Sequence, residues 1–261
     1  MAFMTADEHG TMPPSSKTRA SKTRASQIRK GLPMSTSLQI GLVIFPKVTQ
    51  LDMTGPLQVF AAVPGAKLHL IWKRIEPVAS DSVMTLTPTT SFADCPQLDV
   101  ICVPGGQGIN DMVNDEEMLA FLRKQAPGAK YVTSVCTGSL ILGAAGLLKG
   151  YRAATHWSAM EFLEPFGAIP TRTRVCVDRN RVTGGGVTAG IDFALTLVSI
   201  LFDRKLAEAI QLGMEYNPAP PFNSGSPDAA PAEVLSLVNQ RLSTTQPHRS
   251  DAIHRAAARL A

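Results

Sequence analysis

Residues 131–146 read YVTSVCTGSLILGAAG and contain the feature that decides the fold. An apolar, β-like run ends at Val135, Cys136 follows at once, and small residues then open a helix. A strand, a sharp turn and a helix in this order form a nucleophile elbow, here with cysteine in the nucleophile position. Free N–H groups and the helix dipole favour a thiolate at such a terminus. We therefore expect a reactive Cys136, substantially ionised at neutral pH; the alternative is a buried structural cysteine.

Short apolar runs alternate with helical stretches on both sides of this elbow. The run DVICV at residues 99–103 is continuously apolar and ends at PGG, as expected for a strand buried on both faces. The predicted strands are 38–45, 68–75, 99–103 and 129–135, with a late pair at 174–177 and 181–183. The alternation predicts an α/β fold with a parallel sheet, helices on both faces and ligands at the carboxyl ends of the strands.

The net charge of +4 belongs to residues 1–34. This segment has six basic and two acidic side chains, whereas the other 227 residues have 19 of each. A phosphate-binding surface needs a clustered excess of positive charge, so the neutral body predicts no nucleic-acid partner. The repeat SKTRASKTRA and the scarcity of large apolar residues predict a disordered basic tail. The position of Met34 favours a start-site extension over a transit peptide.

The remaining chain is predicted to form one catalytic domain at residues 35–220, with a C-terminal arm and helices at 221–261 packed on it. The arm is marked by the sequence NPAPPFNSGSPDAAP at residues 217–231. No apolar run reaches the roughly 18 residues that a membrane span needs, so no membrane partner is expected. The four cysteines lack metal-ligand spacing and are too few for a disulfide framework, which favours no metal and a cytoplasmic location.

Two more polar segments follow predicted strands and should lie at the same sheet edge as Cys136. Gly105 and Gly106 would let the backbone approach a ligand and direct N–H groups at developing negative charge; a simple tight turn is the alternative. Their segment lacks the endings of phosphate and dinucleotide loops, so nucleotide binding is not expected. Asp52, in TQLDMTGP, is either a helix N-cap or a carboxylate that hydrogen-bonds the nucleophile and moves protons.

Two later segments carry weaker signals. His156, in ATHW, is the histidine that we expect nearest the site, although a hydrogen-bonded structural histidine beside Trp157 is the favoured interpretation. The segment GGGVTAG at residues 184–190 permits close packing of the next helix or a hinge, and a turn required by backbone geometry is the plainer alternative.

The motifs LDMTGP, CVPGGQG, SVCTGSLILGAAGLL, ATHW and TGGGVTAGIDFAL, in this order, resemble the ThiJ/PfpI superfamily. The resemblance covers roughly residues 37–220 and implies a flavodoxin-like fold related to class I glutamine amidotransferase domains. The aspartate of LDMTGP, the threonine directly after the cysteine and the ending EYNPAPPFNSGSP are most similar to the isocyanide hydratase branch.

This resemblance implies hydration of an organic isocyanide, R–NC, to an N-substituted formamide without a metal or organic cofactor. Cys136 would form a covalent thioimidate, Asp52 would move protons and position water, and Thr137 would orient the intermediate. The other residues predicted to bind substrate or intermediate are Gly105, Gly106, Gly138, His156, Gly185 and Val187. A homodimer is also expected.

Two other functions stay open. Similar domains precede AraC-type DNA-binding domains in some regulators, which suggests a ligand-sensing module; only about 40 residues follow Pro221, too few for two helix-turn-helix units. Enzymes of the superfamily that act on glyoxals and other reactive carbonyls usually have glutamate at the position of Asp52. In its protease and chaperone-like branches a histidine follows the cysteine, whereas this chain has Thr137.

Overall fold

The computed structural model describes residues 37–260, so the predicted tail at residues 1–34 lies outside the described residues. The strands are β1 (Gln39–Val43), β2 (Lys67–Trp72), β3 (Val78–Ala79), β4 (Thr85–Leu86), β5 (Thr90–Ser91), β6 (Val100–Val103), β7 (Tyr131–Val135), β8 (Arg152–Ala153), β9 (Ile169–Pro170), β10 (Val175–Asp178) and β11 (Arg181–Gly184). The α-helices are α1 (Gln50–Ala61), α2 (Ile109–Met112), α3 (Glu116–Gln125), α4 (Gly138–Ala144), α5 (Ala189–Leu201), α6 (Arg204–Gly213), α7 (Ala232–Leu242) and α8 (Gln246–Ala257). Two 3-10 helices span Ala126–Gly128 and Trp157–Phe166.

Seven strands form the main sheet in the order β10-β11-β7-β6-β1-β2-β5. Neighbouring strands are parallel except for the antiparallel pair β10 and β11. The chain builds outward from β1 to β2 on one side and then crosses to β6 on the other. This reversal places a crevice at the carboxyl ends of β1 and β6, where open α/β sheets bind ligands. The predicted α/β, flavodoxin-like fold with a mostly parallel sheet is confirmed.

The central strands are buried because helices cover the sheet. All four residues of β6 are buried, as are the last four of β7. The helices form two packed groups: α1 on α5 and α5 on α6, and separately α4 on α3, α8 and the longer 3-10 helix. Cys102 is fully buried within β6 and is part of the core.

The C-terminal segment contains helices, as predicted, and the last of them is longer than the sequence pattern indicates. Residues 251–261 indicate one or two helical turns, and residues 251–257 form the second part of the twelve-residue helix α8, which begins at Gln246. This helix buries Ala252, Ile253 and Ala256 in the core of the main domain. By contrast, α7 buries no side chain. None of the described helices combines the length and apolar composition that crossing a bilayer requires.

Candidate active site

The nucleophile elbow is formed at the carboxyl end of β7. Cys136 has φ 56°, a left-handed conformation that costs a residue with a side chain roughly 1–2 kcal/mol. Its N–H donates to the carbonyls of Gly184 and Gly185, at 3.0 and 2.9 Å, and its own carbonyl accepts from the Thr155 hydroxyl at 3.0 Å. These bonds hold the strained turn in place. The predicted strand–turn–helix geometry around Cys136 is therefore present.

Asp52 comes to the elbow from the first turn of α1. The N-cap of α1 is Thr49, so the interpretation of Asp52 as an N-cap is wrong. Its Oδ2 accepts from the N–H of Gly105 at 3.0 Å, while Oδ1 makes no hydrogen bond of normal geometry with the described residues. A fully buried carboxylate with one oxygen left unsatisfied destabilises the folded protein, and a group of this kind in a native structure indicates a function.

Burial dominates the protonation of this carboxyl group. It raises the pKa of Asp52 to about 7, against the lowering effect of hydrogen bonds from the Cys136 thiol and the Gly105 N–H; the charge of Asp81 adds a smaller increase. Asp52 therefore exchanges its proton near neutrality, as a general acid or base must.

The Cys136 thiol does not behave as the elbow alone predicts. Burial and then the negative charge of Asp52 raise its pKa well above the ordinary value, although the N–H and hydroxyl of Thr137 act in the opposite direction. The expectation of an ionised resting thiol is therefore wrong, because a local helix terminus is outweighed by desolvation. Near pH 7 the site holds a thiol beside a carboxylate that can take its proton.

The glycine turn after β6 positions the site rather than presenting free N–H groups. Gly105 donates to Asp52, and Gly106 donates to Oγ1 of Thr137 at 3.1 Å. The prediction that both N–H groups bind the intermediate is therefore not supported by the geometry, since each already has a protein acceptor. A Cβ at Gly105 would lie 2.5 Å from Thr137 Oγ1, so only glycine fits between these groups.

Gly138 is also a packing residue in the structure. A Cβ there would lie 2.0 Å from the carbonyl oxygen of Val103, so α4 begins in direct contact with the end of β6. The structure gives Gly138 this packing role and no contact that supports its predicted role in binding.

The remaining predicted residues lie beside a cavity of about 450 Å³ next to the elbow. His156, Gly185 and Val187 line it, together with Trp157 and Arg172. His156 is the hydrogen-bonded histidine that was favoured: Nδ1 lies 2.8 Å from the Ser158 hydroxyl. Burial and then the charge of Arg249 lower its pKa, which keeps the ring neutral.

Two residues near the site escaped sequence reasoning. Thr155 donates to the carbonyl of Cys136, and the ATHW motif, which contains this threonine, is the sequence signal that could have indicated it. Arg249 comes from α8, whose sequence carries no catalytic motif. Among residues 37–260, no three His, Cys, Asp or Glu side chains converge to hold a metal ion.

Comparisons with known proteins identify relatives of this chain. The sequence profile of the DJ-1/PfpI family matches residues 39–200, from β1 into α5. The chain belongs to the DJ-1/PfpI family. An isonitrile hydratase of Pseudomonas putida is 54% identical over 224 residues, which cover 86% of this chain and 98% of that protein. Isonitrile is a synonym for isocyanide.

Two further matches are a solved structure and a longer regulator. The crystal structure of a ThiJ/PfpI family protein from Pseudomonas syringae has a TM-score of 0.83 and 43% identity, covering 90% of this chain and 98% of that one. The HTH-type transcriptional regulator GbdR of Pseudomonas aeruginosa is 33% identical over 181 residues, 66% of this chain but only 48% of the regulator. A segment similar to this chain therefore makes up about half of that regulator.

Proposed function

We propose that this protein is an isocyanide hydratase, which converts R–NC and water to an N-substituted formamide through a thioimidate on Cys136. The observation that carries the mechanism is the buried pair of the Cys136 thiol and Asp52, whose pKa near 7 lets it accept and return a proton. The substrate class is supported by the 54% identity to an isonitrile hydratase along nearly all of that enzyme's length.

In the first step Asp52 accepts the thiol proton as Sγ forms a bond to the terminal isocyanide carbon. The electron pair that this addition places on carbon then takes the proton back from Asp52, giving the thioimidate Cys–S–CH=N–R. Asp52 is thereby again a carboxylate. Thr137 holds Sγ through its N–H and hydroxyl, and the Gly106 N–H orients that hydroxyl.

In the second step the regenerated carboxylate of Asp52 removes a proton from water as the oxygen adds to the same carbon, and Asp52 then gives that proton to the nitrogen. The C–S bond then breaks, its electron pair returns to sulfur, and the C–OH becomes the carbonyl of the formamide. The proton released from oxygen restores the thiol. The balance is one isocyanide plus one water to one formamide, and no redox change occurs.

The cavity lined by His156, Gly185 and Val187 is our proposed place for the R group. It lies beside the elbow, because the carbonyl of Gly185 accepts the N–H of Cys136. Its lining combines charged side chains, among them Arg172 and Asp228, with the neutral His156 and the apolar Trp157, Met160 and Val187, and this apolar part suits an uncharged substituent.

The test is turnover of a simple aryl isocyanide, with the formamide product measured by chromatography and the protein by mass spectrometry. Cys136→Ala should abolish formamide formation, whereas Cys95→Ala, a change at a partly exposed cysteine elsewhere, should retain it. Full activity of Cys136→Ala would overturn the proposal. A stable adduct on Cys136 without formamide would instead favour the ligand-sensing module, which the likeness to GbdR makes the second candidate.

We further propose that residues 35–220 form the catalytic domain, that residues 221–261 pack on it, and that the enzyme acts as a cytoplasmic homodimer. The four cysteines are unpaired thiols in the structure, which suits a reducing compartment. Light scattering on the purified protein tests the dimer, and cell fractionation tests the location.

A further inference from the structure

Helix α8 supplies a cation to the site from outside the part of the chain that the DJ-1/PfpI profile matches. The profile ends at residue 200, whereas α8 spans Gln246–Ala257. Arg249 precedes the buried Ala252 and Ile253 by three and four residues, which places it on the same face of the helix. Its side chain is therefore directed toward the domain and is partly buried.

One hydrogen bond locates the guanidinium, and the packing of α8 locates the helix that carries it. Its Nε donates to the side-chain oxygen of Asn110, at 3.4 Å, in the helix that begins three residues after Gly106. On the other side, Gln246 donates to the carbonyl of Ser158 at 3.4 Å, and the hydroxyl of Ser158 lies against His156. Helix α8 thus packs against α2, which follows the glycine turn, against α4, which begins two residues after Cys136, and against the 3-10 helix that His156 caps.

The charge of Arg249 is not neutralised locally. In residues 37–260 no carboxylate forms an ion pair with it. Burial lowers its pKa, and the negative charge of an ionised Cys136 raises it. The groups that interact with Cys136 are therefore the carboxyl of Asp52, the N–H and hydroxyl of Thr137, and this guanidinium.

We propose that Arg249 is an electrostatic positioning residue, which stabilises the thiolate of Cys136 against the repulsion of Asp52. The thiolate forms at two points of the reaction: when Asp52 removes the thiol proton, and when the C–S bond breaks. Its role in turnover rests on the proposed function, but its effect on the thiol does not. A helix added after the family core would in this way adjust the reactivity of the cysteine at the elbow.

The test is the pH dependence of alkylation at Cys136 in the full chain, followed peptide by peptide with iodoacetamide and mass spectrometry. Arg249→Met keeps an apolar stem for packing but removes the charge. A unit charge that acts through a medium of effective dielectric about 20 changes the ionisation equilibrium of a neighbouring group on the order of tenfold. We expect alkylation of Cys136 at pH 7 to slow about tenfold in Arg249→Met. The midpoint of the pH profile of alkylation should rise by about one pH unit.

Two controls separate charge from structure. Arg249→Lys retains the charge and should keep the midpoint near that of the wild type; Arg255→Met removes an exposed arginine of the same helix and should change nothing. An unchanged midpoint in Arg249→Met, or the same displacement in Arg249→Lys, would overturn the proposal. If the wild type fails to hydrate isocyanides but Arg249→Met still alters the alkylation midpoint, the proposed function fails and this inference stands.

Discussion

Replacing Asp52 with asparagine should remove activity and at the same time stabilise the protein at alkaline pH. The carboxyl group is fully buried, and its pKa is about 7 in the folded chain against an ordinary value of 3.8. The difference of about three pKa units corresponds to about 4 kcal/mol, at 1.36 kcal/mol per unit. Because the folded state favours the protonated form, this cost is absent below pH 3.8, grows as pH rises and is complete above pH 7.

Asparagine keeps an acceptor for the Gly105 N–H but carries no charge, so Asp52→Asn should avoid that cost. Its gain in the free energy of unfolding should grow by about 2.5 kcal/mol between pH 5 and pH 8, from the same linkage relation. Urea titrations at pH 5, 6.5 and 8, followed by the fluorescence of Trp72 and Trp157 under reducing conditions, measure this change. Asp111→Asn, at an exposed site, should follow the wild type at every pH.

The kinetics supply the second half of the same prediction. Turnover of an isocyanide should fall by about 10²-fold or more in Asp52→Asn, the usual contribution of a general acid–base group. In the wild type, kcat/KM should decrease below pH 7 as Asp52 becomes protonated and can no longer accept the thiol proton. Parallel stability curves for Asp52→Asn and the wild type between pH 5 and 8 would refute the assigned pKa, and wild-type turnover would refute the catalytic role.

Two further changes test the packing of the site and the domain boundary. Gly105→Ala places a Cβ 2.5 Å from the Thr137 hydroxyl and 2.6 Å from the Thr137 nitrogen, and a misplacement of about 1 Å costs about 10²-fold in rate, so turnover should fall by this factor. Gly213→Ala, where nothing lies within 4 Å of the added carbon, is the matched control, and equal rates in both variants would contradict the packing argument. Deleting residues 1–34 should leave the Tm and turnover unchanged, since the described core begins at β1; a large loss in either would place the segment in the fold or the site.

The sequence predicted the features of this site that depend on chain-local pattern. A strand followed at once by Cys136 indicated the elbow, and polar residues after other strands indicated which segments share its edge of the sheet. The pattern left open what Asp52 does, because its hydrogen bond to Gly105 joins residues 53 positions apart. The partners of a side chain depend on tertiary contacts that no spacing rule contains.

The protonation state of Cys136 also depends on tertiary structure that the sequence pattern does not contain. The helix terminus after Cys136 predicts a lowered pKa, yet burial by the whole domain raises it. Desolvation of a fully enclosed ionisable group changes its pKa by several units, more than the effect of one short helix. The cation that opposes it, Arg249, comes from a helix 113 residues further along the chain, in a segment that sequence analysis treated only as packing.

A buried site suits this reaction because the chemistry changes no net charge. The isocyanide, water and formamide are all neutral, so one negative charge only moves between Asp52 and Cys136 during turnover. Burial raises the pKa of both acids, which keeps a second negative charge out and makes the proton transfer between them the accessible event. Of the two forms, the one with the charge on Asp52 is favoured over the one with the charge on Cys136, because the carboxyl group is the stronger acid. The guanidinium of Arg249, in the role proposed above, reduces that difference, and this role accounts for an arginine that has no carboxylate partner within residues 37–260.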